Sequence, residues 1–133
     1  MTEAKYFTPA EAGKTLPLVK KIVKDILDTT REIRLLADDL NGKIEHDPKA
    51  KKMAEQVNGF IQELEDIGCY YKDWNFTVGL VDFPAVINGK DVLLCWRSDE
   101  DEIKYYHGID DGFSGRKLIP EKYLNEKGFK LKN

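Results

Sequence analysis

The chain has 133 residues, 41% of them apolar, which is enough for one hydrophobic core and too short for a second full domain. Its charge is dense but balanced, 21 basic against 24 acidic residues, and a net charge of −3 argues against a general nucleic-acid binder, which carries a basic surplus or stripe. No run approaches the roughly 20 apolar residues that cross a bilayer, and the opening MTEAKYFTPAEAG lacks the basic-then-apolar layout of a secretory signal, so the expectation is a cytoplasmic protein without a membrane partner.

A first helix is predicted from Thr8-Pro9-Ala10-Glu11, where a threonine cap, proline at the first helical position and glutamate three residues after the cap form a capping box, with Phe7 placed to pack on the first turn. Leu16, Val19, Val23, Ile26, Thr30, Ile33, Ala37 and Leu40 then recur at alternating spacings of 3 and 4, a coiled-coil-like seam. Pro17 cannot donate to Gly13, so a kink or a break into a short first helix is expected there. Asn41-Gly42 ends the helix by offering an easy left-handed residue.

A second helix opens at Asp47-Pro48 and carries Ala50, Met53, Val57, Phe60, Leu64 and Ile67 before Gly68 stops it. Two seams of one period joined by a short loop predict an antiparallel hairpin over residues 1–68. The first helix, about 32 residues and about 48 Å, outruns the second, about 20 residues and about 30 Å, so its overhang needs the rest of the chain or a second copy as partner.

From residue 69 onward aromatic and β-branched residues take over. Asn88-Gly89 between VDFPAVI and KDVLLCWR is a strong two-residue hairpin signal and predicts strands over 78–87 and 90–97. That turn opposes Val81 to Trp96, Phe83 to Leu94 and Ala85 to Val92 on an apolar face that should rest on the helices. The other face carries Leu80, Asp82 and Pro84 against Arg97, Cys95 and Leu93, with Pro84 at an outward-pointing position that suits a sheet edge. A third strand is predicted over 103–107 beyond the acidic connector 98–102, and a short helix near 120–126. Two registers compete for the third strand. Pairing Ile103 with Trp96 puts Ile103, Tyr105 and His107 on the core face, which the burial of Ile103 favours; a slip of one residue carries Tyr105 and His107 to the face of Asp82, Cys95 and Arg97, which a site on that face prefers, and the sequence leaves the two open. The fold class expected is α+β: a helical hairpin packed on a small antiparallel sheet within one domain, 1–133.

The candidate chemistry gathers in the second half, in Asp82, Cys95, Arg97, His107 and Arg116. Asp82 lies diagonal to Arg97 across the hairpin, within reach of a structural ion pair. A metal would take His107 and Cys95 as ligands, although the sequence holds no close pair such as Cys-x-x-Cys or His-x-x-His. With only two histidines a histidine-rich zinc cage is excluded. Cys95 beside His107 has the makings of a nucleophile, but between Leu94 and Trp96 in a strand it reads better as a packed thiol, and Cys69 and Cys95 are both expected reduced. Gly112-Phe113-Ser114-Gly115-Arg116 offers a mobile backbone and a guanidinium to an anion, without the spacing of a phosphate loop; residues 99–102 lack the alternation and glycine of a calcium loop and read as a solvated turn; His46, in the helical loop before a cap, is expected to face solvent.

The segments Phe7-Thr8-Pro9-Ala10-Glu11-Ala12, Leu80-Val81-Asp82-Phe83-Pro84-Ala85, Leu93-Leu94-Cys95-Trp96-Arg97 and His107 followed by Gly112-Phe113-Ser114-Gly115-Arg116 together resemble an uncharacterised prokaryotic family, domain of unknown function 2203. The resemblance spans nearly the whole chain and departs mildly at Tyr105-Tyr106, where the family has a bulkier aromatic run. It implies no reaction, substrate or cofactor. Two readings of function follow, and the first is the preferred one. The regular seams favour a non-enzymatic interaction or assembly module, in its simplest form a homodimer through the hairpins. The polar groups around Asp82, Arg97 and His107 instead favour a small-ligand, metal or catalytic site on the sheet.

Overall fold

A computed structural model describes residues 5–124. Helix α1 spans Pro9–Asp39, α2 Pro48–Ile67, and the strands are β1 (Tyr70–Tyr71), β2 (Leu80–Ile87), β3 (Lys90–Arg97), β4 (Tyr105–Gly108) and β5 (Lys117–Leu118), followed by α3 (Glu121–Leu124). The sheet is an antiparallel meander in the order β1-β2-β3-β4-β5. The α+β class is as expected. Of the predicted C-terminal helix, 121–124 is helical and 125–126 lie outside the described residues.

Both helices start and stop for the reasons their caps suggest. Thr8 Oγ1 accepts from the Glu11 N–H while Glu11 accepts from the Thr8 N–H, and Asp47 accepts from the Ala50 N–H. Asn41 and Gly42 take positive φ after α1, and Gly68 does so after α2. The break expected at Pro17 does not occur: α1 runs through it without interruption. Pro17 and Gly13 both lie on the exposed face, where water can satisfy the carbonyl that proline leaves unpaired, and Gly13 has open space around it.

The two helices pack on each other, and the N-terminal half of α1 continues onto the sheet. Ala12, Leu16, Val19, Val23 and Ile26 of α1 share one core with Val81, Phe83, Leu94 and Trp96, while Val57 and Leu64 join it from α2. The overhang of α1 is thus covered from within the chain. Beyond Thr30 the seam thins, and Ile33, Leu36, Ala37 and Leu40 are only half-buried.

The Asn88-Gly89 turn sets the β2–β3 register as expected, Ile87 against Lys90 through Leu80 against Arg97. Pro84 stands where β1 no longer covers β2, and the Phe7 N–H closes that edge by donating to the Pro84 carbonyl at 2.7 Å. The third strand corrects its predicted start and decides between the two registers that the sequence left open. It begins at Tyr105 rather than Ile103 and pairs Tyr105 with Cys95 and His107 with Leu93, the slipped register. Ile103 is buried without belonging to the strand, so its burial places no constraint on the pairing. Strands β1 and β5, two residues each, have no counterpart in the sequence reading.

Candidate functional site

One face of the sheet rests on the helices; the opposite face carries Asp82, Cys95, Tyr105 and His107. The segment from 109 to 116, with a 3₁₀ turn at Phe113–Gly115, borders this outer face. The result is a polar group under cover: Asp82 is 4% exposed, Cys95 2% and His107 4%.

These three side chains converge. One ligand-type atom from each, a carboxylate oxygen, the Cys95 sulfur and a ring nitrogen, lies within 4.8 Å of both others. His107 Nε2 is 3.3 Å from Asp82 Oδ1, and Nδ1 is 2.9 Å from the Gly108 carbonyl. A carbonyl only accepts, so Nδ1 carries the ring proton that anchors it, and Nε2 is left to face Asp82. Burial lifts the Asp82 carboxyl above the ordinary carboxylate range, although His107 opposes the shift. Burial, reinforced by the nearby Asp82, pushes the Cys95 thiol up to about 12, so at neutral pH it is an unionised thiol rather than a ready nucleophile. The sulfur is a packed thiol in that sense, as expected, but its neighbours are polar.

A pocket of about 310 Å³ opens onto the three, walled by Leu80, Leu93, Ile109 and Phe113 and rimmed by Lys72 and Asp110. That volume is at the lower end for a small-molecule site. A larger depression of about 500 Å³ lies elsewhere, between α1 and residues 98–101. Its cations already have partners, Lys20 with the Asp101 carbonyl, Lys24 and Arg31 with Asp28, and Arg34 with the Phe76 carbonyl.

The two arginines fall differently from expectation. Arg97 does not pair with Asp82; it binds Asp99 through two hydrogen bonds of 2.6 and 2.7 Å. Asp99 is two residues away on a tight bend, so it reaches Arg97 without the desolvation that Asp82 would demand. Arg116 forms a bidentate pair with Glu100, at 3.1 and 2.7 Å, and its Nη1 lies 4.0 Å from Cys95 Sγ. Of the five candidates the structure thus brings Asp82, Cys95 and His107 together, sets Arg116 against the sulfur, and turns Arg97 away.

Glu100 is the residue the sequence reading missed. It sits in the acidic run 98–102, of which Asp99, Asp101 and Glu102 are exposed as a solvated turn should be. Glu100 instead accepts from the Arg97 N–H and from Arg116, and its carbonyl accepts from the Trp96 indole at 2.8 Å. Nothing in its immediate sequence separates it from its acidic neighbours.

The fold and site define an α+β protein in which a helical hairpin backs a five-stranded sheet and a buried Asp-Cys-His group faces a pocket on the sheet's far side. The model of the family described as uncharacterized conserved protein (DUF2203) matches residues 5–119, and the chain belongs to that family. No curated protein and no solved structure matches it. No helix among the described residues is long and apolar enough to cross a membrane.

Proposed function

We propose that the protein holds a divalent transition-metal ion, zinc by its ligand chemistry, between Asp82, Cys95 and His107, with a free coordination position directed into the adjoining pocket. The observation that carries this reading is the mutual approach of three chemically different ligand atoms within 4.8 Å in a site where each residue is almost fully buried. Ligand atoms around a tetrahedral ion stand roughly 3.3 to 3.8 Å apart, so closure asks for side-chain shifts on the order of 1 Å. A carboxylate, a thiolate and a neutral imidazole also balance a doubly charged ion, which removes the penalty for burying the two acids. The Gly108 carbonyl supplies the hydrogen bond that orients a histidine ligand.

Three protein ligands and an open position are the arrangement of zinc sites that act on a bound water or substrate oxygen, whereas structural sites close with four. The function supported best is therefore Lewis-acid binding or activation of a small molecule in the pocket. Assembly through the helical hairpin ranks below it, because the overhang that motivated that reading already rests on the sheet.

The test is a metal titration of chelator-stripped protein with Zn²⁺ and Co²⁺, followed by calorimetry and elemental analysis. One ion per chain is expected, with binding lost in Asp82→Asn and His107→Ala. Absence of stoichiometric binding by folded wild-type protein for either ion refutes the proposal.

A further inference from the structure

Arg116 is held on four sides. Its guanidinium carbon lies 4.0 Å from the Tyr105 ring centroid and 4.2 Å from that of Phe113, and Glu100 takes one N–H from each terminal nitrogen. The side chains of Arg116 and Glu100 are 13% and 17% exposed, so this is a largely desolvated pair rather than a surface contact. Two rings fix the guanidinium plane, and the carboxylate fixes its rotation within that plane. The second Nη1 N–H is directed at Cys95 Sγ, with Nη1 4.0 Å from the sulfur.

Glu100 cancels the charge of Arg116, so what reaches the sulfur is a directed N–H dipole more than a net positive field. We infer that Arg116 is a positioning residue for the metal centre: the Nη1 N–H directed at Cys95 Sγ holds the sulfur in the orientation from which it meets the ion, with Tyr105, Phe113 and Glu100 keeping the donor in place. The inference rests on the metal reading of Asp82, Cys95 and His107. Lysine cannot substitute, since an ammonium has neither the planar face that two rings clamp nor the fork that leaves one proton over for sulfur.

The experiment uses the Co²⁺-loaded full chain, in which the sulfur-to-cobalt charge-transfer absorption reports on the thiolate directly. Arg116→Lys is expected to move that band to lower energy and to weaken Co²⁺ binding by about ten- to a hundredfold, the usual effect of losing a group that supports a metal ligand. Phe113→Leu removes one clamping face at a residue that is 37% exposed, and should shift the band in the same direction by less. This milder variant carries the test if Arg116→Lys does not fold. A band unmoved in the folded variants, with the wild type loaded normally, overturns the role of Arg116 and leaves the metal centre standing. A wild type that takes up no cobalt and shows no such band overturns both.

Discussion

Replacing Gly79 by alanine tests how α1 is seated on the start of β2, three residues before Asp82. A Cβ built at Gly79 falls inside the van der Waals surface of Val23 Cγ1 and 3.1 Å from Ser98 Cβ, whereas two carbons rest about 3.5 to 4.0 Å apart. Val23 is 1% exposed and β-branched on a helix, so it has one favoured rotamer and no solvent to move into. Ser98 is tied as well, its hydroxyl accepting from the Gly79 N–H and its own N–H donating to the Gly79 carbonyl. Relief must come from moving α1 or the strand, which puts Gly79→Ala in the overpacking range of about 1–3 kcal/mol. At this chain length that is roughly 3–5 °C of Tm per kcal/mol. The assay is a double-mutant cycle with Val23→Ala by urea denaturation. Val23→Ala alone should cost about 2 kcal/mol for the lost methyl groups, and in its background the Gly79→Ala penalty should shrink by about 1 kcal/mol or more because the clashing atom is gone. Strict additivity, or a Gly79→Ala cost within error of zero, refutes the close packing of helix and strand.

Acid stability should depend on Asp73. Burial pushes its carboxyl up, but the N–H groups of Val78, Thr77 and Asn75 and the Thr77 hydroxyl outweigh that and leave it below the ordinary value. A carboxyl lowered by folding contributes its full stabilisation above the unfolded pKa of about 3.9 and loses it as pH falls through the lower folded value. Denaturation midpoints between pH 6 and pH 2 should therefore drop less steeply in Asp73→Asn than in the wild type, and equal slopes would contradict the assignment. Thiol reactivity gives another check. Cys69 and Cys95 are both raised to about 12, chiefly by burial, so metal-free native protein should resist a disulfide reagent at pH 8 for hours while urea-unfolded protein reacts at once with both thiols. Rapid labelling of the folded chain would show an activated cysteine.

The half of the site that lies on one hairpin is legible in the amino-acid sequence itself. Asn88-Gly89 forces Ile87 against Lys90, and counting back from the turn places Asp82 directly across from Cys95. The other half is not. Taking Ile103 as part of β4 ties its burial to the register and points His107 inward, whereas the chain buries Ile103 first and only then enters the strand. Cross-strand geometry matches Arg97 to Asp82, yet a bend brings Asp99 closer, and the shorter, wetter contact wins.

Local chemistry thus settled what local chemistry controls: the caps at Thr8 and Asp47, the helix stops at Asn41-Gly42 and Gly68, the periodic seams, and one strand pairing. Each depends on atoms within a few residues of one another, so the sequence contains its cause. Folding alone decided which acid of the 98–102 run turned inward, where β4 began, and that the segment after it closed over the outer face. Those outcomes depend on which distant surfaces exclude water together, and a carboxylate, a thiol and an imidazole spaced 13 and 12 residues apart in the chain become one site only when that exclusion has been arranged.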